Sequence, residues 1–212
     1  MTLQIETISL GPLETNCYVL WADGEPGLAW LVDIGMWSKP LVELLRGRQL
    51  TPSRILLTHG HGDHIGGVEY IKQTYSQAIL CCPDGDKEML TSPELNLSAT
   101  FLMGISSPEA DEILRPGDEL NLGQLQWQVL DTAGHTPGGV SFYCPSAGVV
   151  LTGDALFAGS IGRTDIPRGD AELLVENIRK NLLTLPGETR VYPGHGPATT
   201  IAAELANNPY VR

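Results

Sequence analysis

Thr58-His59-Gly60-His61-Gly62-Asp63-His64 packs three of the chain's five histidines into six residues, directly after the apolar run Ile55-Leu56-Leu57. The run from Arg54 to Thr58 reads as a buried strand that empties into the histidines. The other two histidines repeat the arrangement. Gly134-His135 follows a strand-like alternation over Gln124–Leu130, and Gly194-His195 follows the short apolar stretch Arg190-Val191-Tyr192. Gly153-Asp154 closes a further candidate strand, Gly148–Thr152. A core histidine usually stands alone, packed and hydrogen-bonded, whereas all five here sit at strand exits. Imidazole suits zinc, iron and nickel, and carboxylate adds charge and can bridge two ions. His59 and His61 can aim at one ion while Asp63 and His64 aim at a second. The interleaved glycines permit the tight backbone that brings such ligands together.

Working outward, Leu3–Leu10, Cys17–Trp21 and Leu28–Val32 read as short strands. A helix follows, opened by Ser38 as N-cap with Pro40 in its first turn and burying Leu41, Leu44 and Leu45. Ile65, Val68, Ile71 and Tyr75 have the spacing of another helix. Gly139–Tyr143 is a strand, and Asp170 caps a helix whose buried face is Leu174, Ile178 and Leu182. Residues 83–120, punctuated by Pro93, Pro108 and Pro116, read as loop and helix that could cover the site as a lid. No linker interrupts the 212 residues, so one domain over 1–212 is expected.

Composition narrows the function. A net charge of −12 opposes phosphate backbones and anionic lipid, so neither nucleic acid nor a membrane is expected as partner. The beginning of the chain shows no cationic segment followed by an apolar run, and no apolar stretch could span a bilayer, so a soluble, cytoplasmic protein is expected. Cys17, Cys81, Cys82 and Cys144 lack zinc-finger spacing and read as reduced packing residues, with Cys81 and Cys82 facing opposite sides of one strand. Tyr143, Tyr192 and Trp127 read as core or rim packing, Arg168 as a turn residue, and Asn96-Leu97-Ser98 as a sequon without consequence. The sequence gives no oligomeric state.

Taken in order, the Thr58–His64 segment, Gly134-His135, Gly153-Asp154 and Gly194-His195 resemble the metallo-β-lactamase superfamily over essentially the whole chain. The resemblance implies an α/β fold, an αββα sandwich of two mixed sheets flanked by helices. It implies His59, His61 and His135 as ligands of one metal and Asp63, His64 and His195 as ligands of a second. Asp154 would be the bridging carboxylate, with Asp63 and Asp154 also taking part in catalysis. Two divalent ions, zinc foremost with iron or manganese admissible, would share a bridging hydroxide. Ala155–Asp165 together with Gly134-His-Thr-Pro-Gly138 resembles the short bacterial branch of the glyoxalase II group. That branch implies cleavage of S-(2-hydroxyacyl)glutathione or a related small-molecule thioester to acid and thiol.

The chain departs from the long members of that group by lacking their glutathione-gripping helical extension and by carrying Asp165 and Pro197 in place of tyrosines. Arg163 stands where they have a lysine and is the expected substrate contact, with a turn arginine paired to Asp165 as the plain reading. The rival resemblance is to a persulfide dioxygenase with one iron. A β-lactamase is disfavoured by Asp154 where those enzymes carry a cysteine ligand, and a nuclease by the acidic charge.

Overall fold

The architecture is two six-stranded sheets packed face to face with helices outside both, seen in a computed structural model that describes residues 2–24, 27–101 and 103–211. The first sheet runs β1 (Leu3–Leu10), β2 (Thr15–Ala22), β3 (Leu28–Val32), β4 (Thr51–Leu56), β5 (Ile79–Pro83) and β6 (Glu112–Leu114). Its first two pairings are antiparallel and the last three parallel. The second sheet comprises β7 (Glu119–Leu122), β8 (Leu125–Asp131), β9 (Val140–Cys144), β10 (Val149–Gly153), β13 (Arg190–Pro193) and β14 (Thr199–Thr200). Its order is β14-β13-β10-β9-β8-β7, with β10 and β13 parallel and every other pair antiparallel. A two-stranded hairpin, β11 (Leu156–Phe157) and β12 (Ser160–Ile161), stands apart.

Three apolar layers hold this arrangement. Between the sheets lie Tyr18, Leu20, Trp30, Val32 and Leu56 from the first and Trp127, Val129, Phe142 and Leu151 from the second. Strand alternation sends the neighbouring residues Val19, Leu31 and Ile55 to the outer face, against α1 (Lys39–Arg48), α2 (Gly62–Ile65) and α3 (Val68–Thr74). The second sheet's outer face, with Val150 and Val191, packs Leu174 of α5 (Ala171–Asn177), Ile178 and Leu182 of the π turn after it, and Ile201 of α6 (Ile201–Asn207). Cys81 lies in the inter-sheet layer and Cys82 in the outer one, the two-faced strand expected of the pair, and all four cysteines are free and buried. Among the described residues no helix is long and apolar enough to cross a membrane.

Several expectations need correction. Ser38 precedes α1 as expected, but its hydroxyl turns to the Gly67 carbonyl at 3.4 Å instead of capping the helix. Val42, not Leu44, completes that helix's buried face with Leu41 and Leu45. The helix expected across Ile65–Tyr75 is two short ones, interrupted where Gly66-Gly67 passes against the Ile34–Gly35 backbone. Residues 83–120 are not loop and helix alone. They contain α4 (Ser98–Phe101) and β6, the edge strand β7 begins within them, and among the described residues of this stretch only Asn96 and Leu97 reach the pocket described below. The Asn96 amide is buried, donating to the carbonyls of Met89 and Ile105 at 2.9 Å each, so the sequon is closed to modification in the fold.

Two glycines give a paired test of this packing. A Cβ at Gly67 would fall on the Gly35 carbonyl and 2.8 Å from Ser38 Cβ, whereas one at Gly47, inside α1, would meet nothing within 4 Å. Gly67→Ala should cost about 1–3 kcal/mol as an overpacking change, and Gly47→Ala should stabilise by up to about 1 kcal/mol through helix propensity. Thermal melts of the two variants check this, and a Gly67→Ala midpoint at or above the wild-type value would show that the α2–α3 junction is not closely packed.

Candidate metal centre

Every histidine sits where a strand stops. The end of β4 leads to His59, His61 is the N-cap of α2, α2 itself carries Asp63 and His64, and the loop after β8 carries His135. Asp154 directly follows β10, and the turn after β13 delivers His195. The two sheets are tied together at this edge. The Val140 N–H donates to the Thr58 carbonyl at 2.9 Å, and the Tyr18 hydroxyl donates to the Pro193 carbonyl at 2.6 Å. The Asn16 N–H donates to the Gly194 carbonyl at 2.7 Å. Gly194 has no room for a side chain, because a Cβ would strike Asp154 Oδ1 and approach His64 Cε1 to 2.7 Å.

All seven side chains converge. His61 Nδ1 lies 2.9 Å from His135 Nε2, and His64 Nε2 lies 3.3 Å from His195 Nε2. Asp63 Oδ2 is 3.1 Å from His195 Nε2 and 3.5 Å from His64 Nε2. Asp154 reaches both sides, with Oδ1 3.3 Å from His64 Nε2 and Oδ2 3.6 Å from both His135 Nε2 and His195 Nε2. Candidate ligand atoms of His59, His61 and His135 lie within 4.8 Å of one another, and so do those of Asp63, His64 and His195. Asp33, His59 and His64 also meet that criterion, but both Asp33 oxygens are taken up by hydrogen bonds.

The outward nitrogens fix how the inward ones point. His59 Nδ1 pairs with Thr58 Oγ1 at 3.0 Å, and that hydroxyl donates to Asp33 Oδ2 at 2.7 Å, so the histidine is the donor of the first bond. His64 Nδ1 meets Asp33 Oδ2 at 2.8 Å, His135 Nδ1 meets the Arg163 carbonyl at 2.7 Å, and His195 Nδ1 meets the Leu13 carbonyl at 3.0 Å. Carbonyl and carboxylate oxygens only accept, so these four rings carry hydrogen on Nδ1 and turn Nε2 to the centre. His59 Nε2 is buried without any hydrogen-bond partner. A buried lone pair left unpaired beside other imidazole lone pairs is costly unless a cation occupies the space. The donor set therefore fits a divalent metal.

Asp33 is the residue that sequence reasoning missed. It follows β3 with a left-handed backbone, φ 53°, which aspartate tolerates better than most residues. It is 2 % exposed, accepts from the Thr58 N–H at 2.8 Å, and orients His64 directly and His59 through the Thr58 hydroxyl. Only its position after a buried strand hinted at this.

The electrostatics divide the site. Burial, reinforced by His64, His61 and His135, pushes the His59 pKa well below the ordinary imidazole value. Burial with His135 lowers His61 to about 3. Burial also works against protonating His64, but Asp63, Asp154 and Asp33 outweigh it and raise its pKa well above the ordinary value. His195 is raised against its own burial by Asp63 and Asp154. Burial would likewise raise the Asp63 and Asp154 carboxyls, but the histidines hold both below the ordinary carboxylate range.

Beside the ligands lies a cavity of about 410 Å³, walled by Leu13, Asn96, Leu97, Arg163 and Ile166. The Arg163 guanidinium forks onto Asp165, with Nε–Oδ1 at 2.9 Å and Nη2–Oδ2 at 3.1 Å. Both side chains are exposed, so the plain turn pairing exists, and Arg163 is also among the residues that line the cavity. Arg168 is a turn residue with φ 71°, and Asp170 caps α5 by accepting from the Leu173 N–H. Trp127 and Tyr143 are buried in the apolar layers, and Tyr192 packs against the inter-sheet layer.

The sequence profile of the metallo-beta-lactamase superfamily matches residues 10–195. The chain is 37% identical over 204 residues to the probable metallo-hydrolase YqgX of Bacillus subtilis, covering 95% of this chain and 94% of that one. It is 34% identical over 210 residues to the hydroxyacylglutathione hydrolase GloC of Haemophilus influenzae, covering 99% and 98%. Among solved structures, the BLEG-1 B3 metallo-beta-lactamase superposes with a TM-score of 0.93 at 40% identity, covering 98% and 99%. TTHA1623 in a di-iron-bound form gives 0.84 at 36%, covering 97% and 99%. ETHE1 from Myxococcus xanthus gives 0.78 at 28%, covering 97% and 83%. With the profile spanning the ligand-bearing strand ends and these relatives matching nearly end to end, the chain belongs to the metallo-β-lactamase superfamily.

Proposed function

We propose that the chain is a binuclear metal-dependent hydrolase of thioesters, of the glyoxalase II type. The observation that carries the reading is the ligand cluster, in which two groups of three donors face one another across Asp154. The likeness to GloC supports the thioester, and the di-iron form of TTHA1623 supports two ions. Zinc is the ion proposed first, with iron admissible.

Ions held there would lower the pKa of coordinated water towards 7 and polarise an acyl carbonyl. The rest falls to the chain's own groups. Asp154 holds the two groups of donors in register, and Asp63, accepting from the Thr15 hydroxyl at 3.2 Å, is fixed for orienting a proton at the centre. Leu13, Leu97 and Ile166 give the cavity apolar walls against which an acyl or thiol chain can lie. Among the described residues lining it, the titratable groups are the ligands and Arg163. That suits a thiol, which leaves as thiolate without a strong general acid because its pKa is about 8.5. The small apolar cavity fits a small-molecule substrate.

Two other chemistries on this fold keep their own assays. The B3 metallo-beta-lactamase neighbour favours opening of a β-lactam ring, and the likeness to ETHE1 supports the oxidative alternative, a persulfide dioxygenase. S-Lactoylglutathione or a related thioester should release thiol without oxygen uptake, at rates well above β-lactam hydrolysis. Faster oxygen consumption with glutathione persulfide, or faster β-lactam opening, would overturn the thioesterase reading. Because Asp165 shares its charge, Arg163→Ala should raise KM several-fold for anionic thioesters, spare kcat, and leave a neutral thioester unaffected. An equal loss for both substrates would make Arg163 structural.

The pKa pattern predicts an asymmetry between the two ions. His59 and His61, shifted down, carry no proton near pH 7, so ligation displaces none from them. His64 and His195, shifted up, keep a proton to higher pH than an ordinary imidazole in the metal-free protein, and an ion must displace it there. Binding at the Asp63 group should therefore release protons and strengthen from pH 6 to 8. Calorimetric titration in buffers of different ionisation heat resolves the two steps, and identical proton release in both would contradict the assignment.

A further inference from the structure

Asp86 lies outside the ligand set, in the 3₁₀ turn Asp84–Met89 that follows β5, and its side chain is completely buried. No arginine, lysine or histidine pairs with it among the described residues; three hydrogen-bond donors surround it instead. Its Oδ2 accepts from the Gly60 N–H at 2.9 Å and the Thr136 hydroxyl at 2.6 Å, and its Oδ1 accepts from the Gly138 N–H at 2.8 Å. Gly60 lies between His59 and His61, and Thr136 is next to His135. One carboxylate thus joins the two loops that carry His59, His61 and His135. Among the described residues it makes no bond within α2, which carries Asp63 and His64, or to the segments carrying Asp154 or His195.

The closeness of the three loops depends on this bond set. A Cβ at Gly138 would stand 2.6 Å from the Asp86 N and 2.8 Å from its Oδ1. One at Gly85 would stand 2.7 Å from the Gly138 Cα, and one at Gly60 would stand 2.8 Å from Met89 Cβ. Loops this tightly apposed, with three donors aimed at one anion, leave the His59–His61 turn and the His135 turn no independent freedom. A buried carboxylate without a paired cation is costly, and here the compensation comes from three donors, two of them one residue away from metal-ligand candidates and the third, Gly138, three residues beyond His135.

We infer that Asp86 is a positioning residue for the ion held by His59, His61 and His135, and that it sets that ion's affinity without setting the other's. The inference rests on the proposed binuclear site. Asparagine has the same shape, but its NH₂ must face at least one of the three donors, so one hydrogen bond is lost without a cavity. Removing such an outer partner typically weakens a metal site about 10- to 100-fold.

The test is zinc titration of the full chain followed by long-range ¹H–¹⁵N spectra of the histidine rings, which report ligation ring by ring. In Asp86→Asn, His64 and His195 should be ligated at the wild-type zinc concentration, while His59, His61 and His135 need about 10- to 100-fold more. All five rings responding together, whether unchanged or weakened alike, would overturn the inference. Should Asp86→Asn fail to fold, Thr136→Val, which removes one donor, decides. It should weaken the same three rings several-fold while Thr136→Ser does not, and wild-type titration of Thr136→Val would overturn the inference. If the wild type itself binds a single ion, the binuclear reading fails separately, and Asp86 is judged on the His59 group alone.

Discussion

Four imidazole Nε2 atoms and one Nδ1 face one another inside a few ångströms, and the rest of the molecule is arranged so that they stay there. The His61–His135 and His64–His195 nitrogens, 2.9 and 3.3 Å apart, can pair only where one of the two carries the proton, and His59 Nε2 has no hydrogen-bond partner among the described residues. Left to relax, such rings would turn towards better acceptors or donors. They are prevented by an outer layer of bonds to oxygen: Thr58 and Asp33 for two rings, and the backbone carbonyls of Arg163 and Leu13 for two more. That layer is anchored in turn to strand ends, and the strands to three apolar layers. The stability of the sandwich is what holds the unfavourable arrangement open for a cation.

The same hierarchy explains why part of the site was legible in the sequence and part was not. Histidine is scarce in this chain, so its confinement to strand exits stood out, and Asp63 and Asp154 were marked by the glycines beside them. Asp33 and Asp86 are two aspartates among many acidic residues. Nothing local separates them from solvated surface charge, because their partners lie 25 to 52 positions away. In the sequence Thr58 is simply the last residue of a strand, yet its hydroxyl fixes the His59 tautomer.

The fold divides along similar lines. Runs with strong two-residue alternation or continuous apolar character, such as Leu3–Leu10, were found within a residue or two of their ends. Glu119–Leu122, Leu156–Phe157, Ser160–Ile161 and Thr199–Thr200 were not read as strands because they are too short or too polar to show a period, and only pairing with a neighbour makes them strands. The helix α6 offers Ile201 as its one fully buried apolar side chain, and its place is held by polar contacts. There Glu204 accepts from the Gly159 N–H and the Thr199 hydroxyl. At Gly66-Gly67 the apolar spacing continued while the backbone could not, since the close approach of Ile34 and Gly35 decides the break.

The central claim is that seven side chains at one sheet edge hold two ions with Asp154 between them. Anomalous diffraction from crystals grown with zinc measures this most directly. Two peaks roughly 3.5–4 Å apart, one beside His59, His61 and His135, the other beside Asp63, His64 and His195, each within bonding distance of Asp154, are the predicted result. A single peak under zinc-saturating conditions, or an ion ligated by Asp33 in place of Asp154, would contradict it.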